Sequence, residues 1–125
     1  MRIKMCSIHV DDPAAAFAFY TGTLGFEELL AVEDAELYVI RSPEARDGPG
    51  LLLEPAENEV ARHHKEGLHA AGVPVVVLGA PDVRAEYERL AAAGVRFTGE
   101  PVTDESGTHV LFDDGFGNYV QIHQD

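Results

Sequence analysis

The residue whose placement most plainly invites chemistry is Glu54, a carboxylate that ends the apolar run Leu51-Leu52-Leu53 just before Pro55. Burying a carboxylate is costly unless a hydrogen bond or an opposite charge satisfies it. Glu54 is therefore expected to act in one of two ways. It acts as a metal ligand, a general base or an acceptor for a guest's hydroxyl or amine. Otherwise it sits partly wet at a strand end, paired with an amide such as Gln121. Gln121, beside Tyr119, reads as a polar contact in an apolar pocket. Among the six histidines, His9 shares a strand face with Met5 and Ser7, and there it suits hydrogen bonding or acid–base work at a cavity mouth. The alternative is a rim histidine with no task. His123 shares the face of Gln121 and Tyr119, and His109 alternates with Leu111. His63, His64 and His69 lie in a polar stretch, and their separations of five and six residues do not align on one helical face. For these three a solvated surface is expected.

The elements that must hold these residues begin with an alternating strand, Ile3 to Val10, carrying Met5, Ser7 and His9 on one face and Cys6, Ile8 and Val10 on the other. Asp12-Pro13 starts a helix: the Asp oxygen accepts from orphan amides and proline suits the first helical position. Phe17, Tyr20 and Leu24 recur at helical spacing, and Gly25 supplies the stop. Strands follow at Phe26–Val32 and Ala35–Arg41 around a Glu33-Asp34 turn. Then come a Pro/Gly loop over residues 42–50 and the short strand 51–54. After a polar connection the order repeats. There is a strand at Val73–Leu78, a helix capped by Asp82 with Val83, Tyr87, Leu90 and Ala91 on one face, and Gly94 as its stop. Strands at Val95–Thr98, Thr108–Phe112 and Tyr119–Gln124 complete the order.

The chain is thus one domain with a doubled β-α-β-β-β unit, module one spanning about 1–55, a connection 56–72 and module two 73–125. Overlaying the modules puts Glu54 opposite Gln121. A repeat that cannot close its own sheet pairs with its twin. The expected fold class is α+β: a curved mixed sheet of eight strands around a concave cavity, with the helices outside.

Composition sets limits on function. A chain of 125 residues can bury about two-thirds of its surface. With 9 basic against 22 acidic side chains and a net charge of -13, no basic stripe is present to displace counterions, which excludes nucleic-acid backbones as partners. The lone Cys6 allows no internal disulfide and fits a reducing compartment. No membrane-length apolar run or signal-type segment precedes the first strand, so a cytoplasmic protein without a membrane partner is expected. P-loop, dinucleotide, zinc-finger and nucleophile-elbow patterns are absent. Gly115-Phe116-Gly117-Asn118 precedes a strand, not a helix, so it reads as a turn and not a phosphate cradle.

The run His9-Val10-Asp11-Asp12-Pro13 through Phe19-Tyr20-Thr21-Gly22-Thr23-Leu24-Gly25-Phe26, with Asp113-Asp114-Gly115-Phe116-Gly117-Asn118 near the end, resembles the vicinal oxygen chelate superfamily. That superfamily includes glyoxalase I, bleomycin-resistance proteins and extradiol dioxygenases. The resemblance implies paired modules and a homodimer, with modules closing within one chain or across two. Metal-dependent members carry one His, Glu or Gln ligand on the first and last strand of each module. Carried onto this chain, those positions are Met5, Glu54, Val75 and Gln121. Glu54 and Gln121 are allowed ligand types. Met5 and Val75 offer a divalent ion neither a hard oxygen nor an imidazole, and a slip of one residue would bring in Lys4, Cys6, Pro74 or Val76. No cofactor is therefore expected, the alternative being Zn, Ni, Mn or Fe held partly by Glu54 and Gln121.

The favoured function is a metal-free binder of a small apolar or aromatic molecule, a sequestration or resistance protein. Its pocket would be lined by Met5, Ser7, His9, Glu54, Val75, Val77, Tyr119 and Gln121. The alternatives are a metal-dependent lyase, isomerase or dioxygenase, or an acid–base enzyme in which Glu54 is catalytic.

Overall fold

Strand β1 (Met5–Val10) leads through Asp12 into helix α1 (Pro13–Gly22). The Asp12 carboxylate accepts the Ala15 amide at 3.1 Å, a cap of the kind that contributes about 1 kcal/mol. Next come β2 (Glu27–Val32), a 3₁₀ turn at Glu33–Ala35, β3 (Leu37–Arg41) and β4 (Gly50–Pro55). The polar connection holds a helix, α2 (Glu59–Ala70), and is followed by β5 (Pro74–Gly79) and α3 (Val83–Ala92). Asp82 caps α3 as Asp12 caps α1, accepting the Ala85 amide at 3.0 Å. Strands β6 (Arg96–Phe97), β7 (Val102–Asp104), β8 (Gly107–Asp113) and β9 (Tyr119–Gln124) complete the chain.

This is a computed structural model, it describes residues 1–125, and its contacts divide it into two compact units, Met1–Arg62 and His63–Asp125. The fold class is α+β, with nine strands in two sheets instead of the eight strands of one sheet read from the sequence. The added strand is β7.

In the first unit the sheet order is β1-β4-β3-β2, with β1 and β4 parallel and the other pairs antiparallel. Alternation sends Ile8, Val10, Leu53, Tyr38 and Ile40 to the α1 face, where all are buried with Ala16 and Tyr20 of the helix. The Phe17 and Tyr38 rings meet there at 5.1 Å. Met5, Ser7, His9, Leu52 and Glu54 take the opposite face, as the pairs Ser7–Leu52 and His9–Glu54 require.

In the second unit the order is β5-β9-β8-β6, and β7 pairs with β8 on the side that also carries β6. Val110, Phe112, Val120 and Ile122 are buried on the α3 face with Val83 and Leu90. His109, Leu111, Gln121, His123 and Tyr119 fall on the other face, through the pairs His109–His123, Leu111–Gln121 and Asp113–Tyr119. A register shift between Pro74 and Val76 leaves Val75 as the extra residue of a bulge, so Pro74 is opposite Tyr119 and Val77 opposite Gln121.

Candidate functional site

In the first unit, β1 and β4 run parallel with His9 opposite Glu54 and Met5 opposite Gly50. Met5 and Glu54 are therefore four residues apart along the ladder, about 13 Å of strand rise, and the neighbour that Glu54 does have is His9. The His9 Nδ1 lies 3.3 Å from the Pro55 carbonyl oxygen. No hydrogen bond or ion pair within the chain engages the half-buried Glu54 carboxylate. Elsewhere on this face Met5 is 41% exposed and Leu30 44%, Leu30 being brought to it by pairing with Val39.

In the second unit, Gln121 and Val77 are direct neighbours, and Val77 is 54% exposed. A cavity of about 350 Å³ opens here, its wall including Pro74, Val102, Leu111, His109, Gln121 and Glu100. The Gln121 amide makes no hydrogen bond within the chain, so both of its polar atoms are available to a guest. Thr98 is also on the wall, but its hydroxyl donates to the Leu111 carbonyl at 3.4 Å.

Tyr119 is held otherwise. The His69 ring stacks on it at 4.4 Å and 3°, and His69 Nε2 lies 3.2 Å from Asp113 Oδ2. His69 is thus no solvated histidine of the connection, unlike the exposed His63 and His64. It pins the end of α2 onto β8 and β9. Separation along the helix gave no hint of this, because its partners lie 44 and 50 residues away in sequence.

The constellation that sequence reasoning missed is on the hairpin of β7 and β8. His109 Nε2 is 2.8 Å from Asp104 Oδ2, and Asp104 Oδ1 accepts from the Ser106 amide at 2.8 Å and its hydroxyl at 2.6 Å. His123 Nε2 meets the Ser106 carbonyl at 2.9 Å, and the His109 and His123 rings stack at 6.5 Å. The Ser106 hydroxyl first, and then His109, hold the Asp104 carboxyl well below the usual carboxylate range. A carboxyl depressed on folding stabilises the fold above its ordinary value, and that contribution is lost as pH falls through the folded value. Denaturant midpoints measured across pH should therefore show Asp104→Asn weaker than the parent near neutrality. The gap should narrow steadily below the ordinary value of 3.8. A gap unchanged by acid would show that the charge is not its cause.

For the metal that such folds can carry, the donors do not fit. Met5 and Val75 stand at two of the four ligand positions, and nowhere do three His, Cys, Asp or Glu side chains converge in ion-holding geometry.

Comparison with known proteins gives the family. The sequence profile of the Glyoxalase/Bleomycin resistance protein/Dioxygenase superfamily matches residues 2–122. YurT of Bacillus subtilis (strain 168) is 39% identical over 129 aligned positions, covering 99% of each chain. Among solved structures, UcmS2 superposes with a TM-score of 0.82 at 30% identity, over 98% of this chain and 97% of its own. TnmS3, an antibiotic binding protein from Streptomyces sp. CB03234, shares the fold with a TM-score of 0.74 at 22% identity, over 99% and 95%. The chain belongs to the glyoxalase/bleomycin resistance protein/dioxygenase superfamily.

Proposed function

We propose that this protein is a metal-free binding protein that captures a small, flat, apolar or aromatic molecule, a natural product such as an antibiotic being the concrete case. The observation that carries the reading is the second-unit cavity. Its volume of about 350 Å³ falls in the range of small-molecule sites, and its apolar wall with a few free polar groups is what such sites use. The donor set supports the same reading, since Glu54 and Gln121 alone keep ligand-type atoms at the four family positions. TnmS3 is a protein of this fold that binds an antibiotic.

In this reading Gln121, with Pro74, Val102, His109 and Leu111 of the same wall, serves the guest. Of the other expected pocket residues, Val75, Val77 and Tyr119 of this unit are not on that wall, and Met5, Ser7, His9 and Glu54 belong to the sheet of the first unit. The protein works as a cytoplasmic homodimer with no membrane or nucleic-acid partner. Exposed Leu29, Leu30 and Val32 on β2 would suit a second copy, and no helix is long and apolar enough to cross a membrane.

The test is a thermal-shift panel of planar aromatics and natural products, run beside elemental analysis. A guest at a hundred times its dissociation constant should add about 2.7 kcal/mol of stability. A flat response across the panel, or about one bound transition metal per chain that is lost with Glu54→Ala, would sink the reading. Because Glu54 faces His9 across the ladder, turnover of a guest that Glu54→Gln abolishes would instead assign acid–base catalysis.

A further inference from the structure

We propose that His109 is a specificity-determining residue of the second-unit cavity, its Nδ1 accepting a hydrogen bond from an N–H or O–H group on the edge of a planar guest, with Asp104 as the residue that positions it. The inference rests on the binding reading above and names the class of guest.

His109 is part of the cavity wall, and its Nε2 is committed to Asp104 Oδ2 at 2.8 Å. The two Ser106 bonds hold that carboxylate in its ionised, acceptor-only form. In the neutral imidazole a carboxylate at that distance selects the tautomer with its proton on Nε2, which leaves Nδ1 as a lone pair. No group of the chain hydrogen-bonds to that second nitrogen; His123 meets the ring only by its face.

The rest of the wall points the same way. Gln121 lies on the same sheet face, two ladder pairs along from His109, and its Oε1 is a second free acceptor. The Glu100 carboxylate, also on the wall, is a third. The other charged groups near the ring are Asp104 on β7, and His123 with Asp125, whose carboxylate lies 3.6 Å from His123 Nδ1. The side chains of the wall thus present acceptors above all, with the Gln121 Nε2 amide beside them as a donor. An edge rich in amino or hydroxyl groups matches it. An edge of carbonyls or alkylated amines leaves these acceptors desolvated and unpaired, which is the costly case.

Two dyes of the same ring system and charge separate donor recognition from general attraction to an acidic protein. Proflavine carries two exocyclic amino groups; acridine orange carries the same nitrogens fully methylated. Titrations by fluorescence anisotropy at about pH 8.5, where an ordinary imidazole is neutral, should show one site per chain. Proflavine should bind roughly three- to tenfold more tightly, the worth of one net hydrogen bond.

His109→Phe, which keeps a ring and removes both nitrogens, should cut that preference at least in half, Gln121 and Glu100 supplying the remainder. His109→Gln, which restores an acceptor, should recover part of it. Asp104→Asn can present its amide N–H to Nε2 and so move the imidazole proton to Nδ1. It should reduce or reverse the preference while the melting temperature of the dye-bound protein still rises with dye, a change that a merely structural role for Asp104 would not produce.

If both dyes bind equally to the parent, or the preference is unchanged in His109→Phe because the methyl groups simply do not fit, the inference is overturned and the binding reading stands. If neither dye binds, the inference falls, and whether the broader thermal-shift panel also stays flat decides the binding reading separately.

Discussion

Gly107→Ala is expected to cost about 3 kcal/mol or more and to lower the melting temperature by roughly 10 °C, given 2–8 °C per kcal/mol for domains of this size. Gly107 has φ +124°, outside the region that L side chains readily adopt, a strain of about 1–3 kcal/mol by itself. A Cβ there would also lie 2.1 Å from the Gln124 carbonyl oxygen, 3.1 Å from its carbon and 3.3 Å from the Asp125 Cα. All three are backbone atoms, which cannot swing aside as the tip of a side chain can. Relief requires the end of β9 to peel from β8, and that breaks the Thr108–Gln124 pairing and the contact of His123 with the Ser106 carbonyl. Gly22→Ala is the control. It adds the same methyl at the end of α1, where nothing lies within 4 Å. Equal melting of the two variants in differential scanning calorimetry would show that the close approach at Gly107 does not constrain the fold.

The same turn holds the Asp104–His109 pair together. Asp104, Ser106 and His109 bracket Gly107 in sequence, and the register Asp104–Gly107, Thr103–Thr108, Val102–His109 sets which side chains meet.

What the sequence revealed, and what it did not, follows from how local each signal is. The two helix starts were legible because an Asp cap acts within three residues of itself, and both caps form as read. Gly25 and Gly94 take the left-handed stop, with φ 89° and 92°. Strand β7 escaped because Val102, Thr103 and Asp104 are all exposed, so no apolar alternation marks it. It exists because β8 offers free ladder groups beyond β6. The bulge at Val75 escaped for a related reason: a run of three valines after Pro74 reads alike in either register, and only the partner strand sets the phase. The His9–Glu54 pairing needed the β1–β4 register, a contact across 45 residues. The Asp104–His109 pair spans only five residues, and it stays hidden because the exposed Val102–Asp104 segment carries no strand pattern to bring the two together. Glu54 and Gln121 stood out from the sequence alone because a polar residue in an apolar strand is conspicuous wherever its partners lie.

Phe112→Ala should be the most damaging single truncation in the second unit, about 3–5 kcal/mol by the usual toll of emptying an aromatic site. Phe112 is 0% exposed on the α3 face of β8. Its ring meets Phe97 at 5.8 Å and 63°, and Phe97 in turn meets Tyr87 of α3 at 4.8 Å and 71°. These edge contacts add about 0.5–1.5 kcal/mol per pair beyond area burial, and losing the Phe112 ring removes one of the two aromatic partners of Phe97. Leu111, one residue earlier, points to the opposite face and lines the cavity. Alternation therefore separates the two roles along a single strand. Urea unfolding should show the large loss for Phe112→Ala with an unchanged slope, while the protein that remains folded keeps its affinity for a bound dye. Leu111→Ala should weaken the dye several-fold at a smaller cost in stability. If both substitutions instead lowered affinity in proportion to stability, the cavity face and the core face of β8 would not be independent, and Leu111 could not be counted as a residue that touches the guest.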